Sequence, residues 1–435
     1  MSVPTWLDGA IFYQIFPDRF NSVGSPAGLQ GYEPWGAPPT IHGFQGGNLP
    51  GITARLDYLA ELGVNAIYLN PIFQSPSNHR YNTTDYFRID PKLGSLDDFR
   101  ALLTQAHLLG IKVILDGVFN HCGRGFFAFN DLLENQQRSV YRDWFHVNHY
   151  PLDAYSGGDA KSYQAWWGFK SLPKFNTENP GVRAHIFEAV EYWTRMGIDG
   201  WRLDVPNEIN DDGFWKQFRD LVKGINPEAY LIGEIWEINP RWVGDGHFDG
   251  LMNYPLRSAI LEFVNARLSP PQFAEKVHEL ERAYPKENLY SHFNLLGSHD
   301  TERVLQQCGG DKERLALAFG LLFTLPGVPC VYYGDEIGLD GGKDPDCRRA
   351  FPWQKEKWDT ALRSRVQALI RARKSLPVLS SGSVEFIELG SGLLAYRRGD
   401  VNSNAIVICN PGLVQIAINS RALGVEHDLR DELSG

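Results

Sequence analysis

Cysteine is scarce in these 435 residues: five in all, at Cys122, Cys308, Cys330, Cys347 and Cys409, odd in number and with no CxxC pair. That argues against a disulfide framework and suits reduced thiols in a cytosolic chain. No run of like charge is long and the net charge is −10, so the clustered basic surface that a nucleic-acid backbone demands is missing. Ala10–Phe16 is apolar but far too short to cross a bilayer. Met1–Gly9 has no basic patch leading into an apolar core, so no signal peptide is expected and the cytoplasm is the default location. There is no HExxH and no closely spaced histidine pair to suggest zinc. Low-complexity tracts are absent too.

Against these absences stand ordinary globular proportions, 43% hydrophobic and 22% charged, with a generous 12 Trp, 18 Tyr and 25 Phe. The aromatics suit either a well-filled core or stacking platforms for sugars. Short apolar runs alternate with amphipathic stretches. Ala10–Phe16, Ala66–Leu69, Lys112–Asp116, Gly200–Asp204 and Tyr230–Gly233 read as five buried strands, and Phe248–Leu251, Phe293–Leu296 and Val328–Tyr333 make eight. Helical periods at Asp97–Leu109, Val182–Met196 and Lys312–Phe323 lie between them. The count favours an α/β fold of the (β/α)8 barrel type over a doubly wound sheet. The barrel is expected over residues 1–120 and 179–376. Residues 121–178 are too long and too aromatic for an ordinary βα loop and read as an inserted subdomain. Beyond Pro377 the pattern changes to Val384–Leu389, Leu393–Arg398, Asn404–Asn410 and Val414–Asn419, which predicts an antiparallel β-domain over 377–435.

Barrel active sites lie at the C-terminal ends of the strands. There the sequence places Asp116 with Asn120-His121, then Arg202 and Asp204, then Glu234 and Trp236, then His299-Asp300. Any one of these has an ordinary structural reading, such as a helix cap or a local ion pair. Acidic groups at four strand ends are harder to explain that way. Retaining cleavage of a glycosidic bond needs a nucleophilic carboxylate and a protonated carboxyl group about 5–5.5 Å apart. Adjacent strands lie about 4.8 Å apart, so Asp204 and Glu234 can meet that separation. Arg202, two residues before Asp204, shares its face and is expected to keep it ionised. Nearby carboxylates and an apolar Trp236 are expected to favour protonated Glu234. Asp300 can hydrogen-bond sugar hydroxyls as the ring distorts, and His121 and His299 suit neutral hydrogen bonding.

At these residues the chain resembles the α-amylase family of glycoside hydrolases, from Ile11-Phe-Tyr-Gln-Ile-Phe-Pro-Asp-Arg-Phe20 onward. Four signatures occur in order: Asp116–His121, Gly200–Asp204, Glu234 with its flanks, and His299–Asp300. Gly200-Trp-Arg-Leu-Asp-Val-Pro-Asn-Glu208, which contains Asn207 and Glu208, is similar to the neopullulanase, cyclomaltodextrinase and maltogenic amylase branch. So are Ile232–Trp236 and Leu172-Pro-Lys-Phe-Asn176 in the inserted subdomain. The resemblance implies Asp204 as nucleophile, Glu234 as acid/base and Asp300 as transition-state stabiliser. It implies Tyr81 as the platform beneath the cleaved sugar, and Asp344 and Arg348 as holding a sugar upstream of the cut. The implied substrate is an α-glucan such as a maltodextrin, cyclodextrin, starch or pullulan, cut at α-1,4 bonds with α-1,6 bonds left open.

That branch usually carries an N-terminal β-sandwich domain ahead of the barrel and a longer C-terminal domain. Here the first strand starts at Ala10 and the chain stops at Leu433-Ser-Gly435. The expectation is a chain without the sandwich, a more open cleft and a different or absent dimer, the oligomeric state being open. No cofactor is expected to be required. Calcium is open: relatives bind it near the position of Asn120 or in a loop after the first strand, but that loop, Asn21-Ser-Val-Gly-Ser-Pro-Ala-Gly28, has no acidic residue. Two other readings stand: a transglycosylase using the same intermediate, and a non-catalytic glucan-binding barrel. Trp35 suits a stacking platform or loop packing equally.

Overall fold

In a computed structural model of the protein, described over residues 3–24, 31–390, 392–400, 403–412, 416, 423 and 430–433, eight parallel strands form one sheet. They are β1 (Phe12–Ile15), β2 (Ala66–Leu69), β3 (Lys112–Gly117), β4 (Gly200–Leu203), β5 (Tyr230–Gly233), β6 (Gly250–Leu251), β7 (Phe293–Leu295) and β8 (Val328–Tyr332). Their order is β6-β5-β4-β3-β2-β1-β8-β7, and a parallel bridge from Met252 to Phe293 brings the two ends together. The sheet is therefore a (β/α)8 barrel, as expected.

Strand alternation explains the core. Phe12, Ala66, Tyr68, Ile114, Ile232 and Leu295 point inward to a compact inner cluster, while Tyr13, Ile67, Leu115, Trp201 and Leu231 pack outward against the helices. The helices begin with recognisable caps: Ser95 and Asp98 form a capping box, and Asn179 caps Pro180–Arg195. β6 is shorter than the expected Phe248–Leu251, because the Asp249 carboxylate turns away to Arg219, Lys223 and the Leu231 N–H. Gly250 must be glycine: a Cβ there would lie 2.0 Å from the Ser291 carbonyl oxygen on the neighbouring segment.

Between β3 and the helix Pro180–Arg195, the chain makes one helix, Phe127–Asn135, and several short turns. Antiparallel bridges His121–Lys174, Phe145–Phe175 and Ala165–Pro173 tie the segment's ends to the barrel rim. Near the C-terminus, β9 (Val384–Ile387), β10 (Leu394–Gly399) and β11 (Asn404–Cys409) form an antiparallel sheet. The further strand expected at Val414–Asn419 falls almost wholly outside the described residues. Among the described residues no helix is long and apolar enough to cross a membrane.

Candidate active site

The same alternation that fills the barrel with apolar groups puts polar ones at its C-terminal mouth. Two residues beyond Phe12, Ile114 and Ile232 on the inward face stand Gln14, Asp116 and Glu234, and two beyond Gly200 and Arg202 stand Arg202 and Asp204. Arg202, with 1% of its side chain exposed, sits at the centre. Its Nη1 lies 2.8 Å from Asp116 Oδ1 and 3.0 Å from Asp204 Oδ1, and its Nη2 lies 2.8 Å from Glu234 Oε2. One planar guanidinium thus brackets the carboxylates that end β3, β4 and β5.

The neighbours fix each oxygen. Asp116 Oδ2 accepts from Tyr68 Oη at 2.5 Å and from Tyr81 Oη at 2.8 Å. Burial and the adjacent Asp116 push the Tyr81 hydroxyl up, so it keeps its proton. Glu234 Oε2 accepts from the Val205 N–H at 3.0 Å, and Oε1 from Trp236 Nε1 at 3.1 Å. Trp236 was expected as an apolar wall. It is instead a hydrogen-bond donor whose half-exposed ring stacks on Tyr254 at 3.7 Å. Val205 reaches Glu234 from a left-handed backbone, φ +36° and ψ +53°, which is strained for a β-branched residue.

Arg202 does not dominate its neighbours as expected. Burial raises Asp204 well above the usual carboxylate range, and although Arg202 opposes this, Glu234, Asp116 and Asp300 add to it. Burial and then Glu234 likewise push Asp300 up to about 7, against Arg348 and Arg202. Asp300 keeps 31% of its side chain exposed, so solvent moderates that shift. Asp204 and Asp300 are thus both pushed toward the protonated form, and Glu234 adds to the shift of each.

His299 and Arg348 form the facing side. His299 stacks on Tyr81 at 5.3 Å and 5°, its Nδ1 meets Gln14 Nε2 at 3.0 Å, and its Nε2 lies 2.6 Å from Tyr81 Oη and 3.0 Å from Asp300 Oδ2. With the Gln14 amide donating to Nδ1, the ring proton sits on Nε2. Burial, Arg348 and Arg202 hold the imidazole well below its ordinary value, so it is neutral. Arg348 donates from Nε to the His299 carbonyl at 2.9 Å, pairs with Asp344 at 3.0 Å and approaches Asp300 at 3.7 Å. His121 is fully buried and pushed down to about 3 by burial, and among the described residues its Nε2 makes no hydrogen bond.

The remaining expected residues divide. Glu208 pairs with Lys174, between β3 and the helix Pro180–Arg195, at 2.8 Å. Asn207 is exposed on the short turn Pro206–Glu208 and, among the described residues, its side chain has no hydrogen bond. Trp35 is half-buried, its indole donating to the Phe351 carbonyl at 3.2 Å. Sequence reasoning missed Gln14, Tyr68 and Asn70, whose amide donates to Tyr81 Oη at 3.0 Å. It also missed Trp166 and Trp167. Trp166 stacks on His121 at 5.7 Å, and Trp167, 77% exposed, stacks on Trp166 at 4.8 Å. The signal for the pair was the doubled tryptophan five residues ahead of Leu172.

Asn120 Oδ1 is buried and, among the described residues, without a partner. It is one oxygen where calcium wants about six to eight, usually including carboxylates. Among the described residues no three Asp, Glu, His or Cys side chains gather to supply them. The donor set therefore does not fit a calcium ion there. Of the loop Asn21–Gly28, residues 25–28 lie outside the described residues.

Carboxylates ending adjacent strands of a (β/α)8 barrel, faced by a third across the mouth, are the arrangement of a glycosidase. Residues 14–375 match the catalytic domain of α-amylase. The chain is 44% identical to the cyclomaltodextrinase of Geobacillus thermopakistaniensis, over 94% of this chain and 69% of that protein. It is 42% identical to neopullulanase 2 of Thermoactinomyces vulgaris, over 94% and 70%. Its fold superposes on the cyclic α-maltosyl-(1→6)-maltose hydrolase of Arthrobacter globiformis with a TM-score of 0.91 at 41% identity, covering 94% of this chain and 92% of the other. The chain belongs to the α-amylase family of glycoside hydrolases.

Proposed function

We propose that the protein is a retaining hydrolase of α-1,4-glucosidic bonds in maltodextrins and cyclodextrins, with some action on α-1,6 bonds. One observation carries the reading: Asp204 and Glu234 follow paired residues of adjacent strands and share the Arg202 guanidinium, while Asp300 faces them. In the first step Asp204 attacks the anomeric carbon as Glu234 gives its proton to the departing glycosidic oxygen, leaving a glucosyl ester on Asp204. In the second, Glu234 takes a proton from water, whose oxygen displaces Asp204. Asp300, His299 and the free His121 Nε2 hydrogen-bond hydroxyls of the sugar at the cut, stacked on Tyr81, and Asp344 with Arg348 holds the next unit. The substrate class draws support from the activities named for the relatives above. Five buried free thiols suit a reducing compartment, and we place the protein in the cytoplasm.

The test is product analysis with β-cyclodextrin, maltoheptaose and pullulan, alongside mass analysis after reaction with a fluorinated α-glucosyl fluoride. Cleavage lost in Asp204→Asn, and a sugar adduct on the peptide carrying Asp204, are expected. An enzyme that cleaves yet carries its adduct elsewhere overturns the assignment, and products longer than the substrate reveal sugar rather than water as the acceptor.

A further inference from the structure

Outside the carboxylate cluster, a cavity of about 330 Å³ opens between the antiparallel hairpin Phe73–Gln74/Asp85–Ile89, the start of the helix Phe127–Asn135 and the helix Pro180–Arg195. That volume is at the lower end for small-molecule sites, typically about 300–1,000 Å³. None of its lining residues touches the candidate active site directly. The connection runs through Tyr86, whose hydroxyl donates to the His121 carbonyl at 2.8 Å and whose ring lies 6.2 Å from His185.

Its lining has two kinds of surface. Aromatic rings surround His185: Phe87 at 5.4 Å, Phe126 at 5.2 Å and Phe127 at 5.5 Å. Phe127 also packs against Phe126, Tyr141 and Trp144, yet it is 45% exposed, so part of its ring is open to a ligand. Between the rings stand hydrogen-bonding groups that the protein leaves unused. His185 Nε2 is buried and, among the described residues, has no hydrogen-bond partner. Among the described residues the Gln74 side-chain amide makes no hydrogen bond, and Asp85 uses only Oδ1, accepting from the Phe87 N–H at 2.9 Å. A buried polar atom without a partner is costly, so a ligand that supplies one is favoured.

The charges narrow the ligand. Asp85 disfavours an anion, Arg88 on the same rim disfavours a cation, and burial holds His185 below its ordinary value and so neutral. What remains is a neutral molecule with both apolar faces and many hydroxyls. A pyranose is such a molecule: its C–H faces lie on phenyl rings while its hydroxyls meet carboxylate, amide and imidazole.

We propose that this cavity is a second, non-catalytic saccharide site that takes one or two glucosyl units of the enzyme's own glucan. The ligand rests on the α-glucan reading above, whereas the site rests on its lining. Occupancy anchors a chain behind the inserted segment and keeps its remaining length near the barrel mouth, which raises the effective concentration of long substrates.

The experiment is calorimetric titration of maltose into the full-length Asp204→Asn protein, which binds sugar without consuming it. Two binding events are expected. Phe127→Ala and Gln74→Ala, each added to that background, should weaken one event about tenfold and leave the other in place. Phe127 is half-exposed and Gln74 lies outside the core, and melting temperatures verify that both variants fold. A single event, or two events that neither substitution moves, overturns the proposal. Hydrolysis of maltoheptaose by the unsubstituted enzyme tests the glucan reading separately. An active enzyme with one event rejects the second site alone, and an inactive one with no event rejects both.

Discussion

The backbone N–H of Val205 donates to Glu234 Oε2 at 3.0 Å from a turn held at φ +36°. A strained residue directly after Asp204 thus aims a donor at the carboxyl group on the next strand. Glycine adopts that conformation without strain, so Val205→Gly releases about 1–3 kcal/mol, offset by roughly 1 kcal/mol of lost side-chain burial. The melting temperature is expected to move by only a few degrees. Turnover should fall about tenfold, because the freed turn no longer orients the donor. Unchanged kcat in Val205→Gly would show that the strain has no part in orientation.

Among the described residues, Arg202 is the only cation touching three of the four carboxylates. Arg202→Met should lower kcat/KM by at least about 10³, and Arg202→Lys by nearly as much, since one ammonium cannot replace a planar fork. Unpairing buried charges costs about 3–5 kcal/mol. Burial already raises Asp204 and Arg202 opposes this, so Arg202→Met lets Asp204 take up a proton more readily, and the stability loss should be larger at pH 8 than at pH 5. Chemical denaturation at the two pH values measures it.

Asp300 has a pH signature of definite sign. Its value in the folded protein is raised from 3.8 to about 7, so between those limits the native state binds a proton that the unfolded chain does not. Stability then falls as pH rises through that window. Asp300→Asn removes the effect, and its melting temperature should gain on the parent between pH 4.5 and pH 8. Parallel curves for the two proteins would contradict the raised value.

Much of this site could be read in the sequence, because Asp116, Asp204, Glu234 and Asp300 each follow an apolar run that can only be a buried strand. Gln14 and Tyr68 could not. They sit inside such runs, and only the barrel's closure turns an inward core position into a wall of the site. The ion pair of Glu208 was equally hidden: the turn Pro206–Glu208 brings it to Lys174, 34 positions back in the chain. Trp236 kept its place and changed its chemistry, since a sequence cannot say which way an indole N–H faces.

Trp167 stacks on Trp166, which stacks on His121, so flat rings lead outward from the site. Trp167→Ala should raise KM for maltoheptaose about threefold to tenfold with a smaller effect on kcat. At 77% exposure it should alter stability by no more than about 0.5 kcal/mol. Steady-state kinetics and a thermal melt decide both.

Calcium removal should be without effect. Since the oxygen donors around Asn120 fall short of a calcium shell, dialysis against a chelator is expected to leave both activity and melting temperature in place. A loss restored by added calcium would locate a site elsewhere in the chain.

β1 pairs with β8, so Phe12 waits for Cys330 as its neighbour. During synthesis, at about 5–20 residues per second, the first strand is made well before the strand that closes the ring beside it. For that interval an apolar edge stays open. The two strands that lie farthest apart in the chain are thus neighbours in the barrel, and closing it must overcome the entropy of the longest loop between any two of its strands.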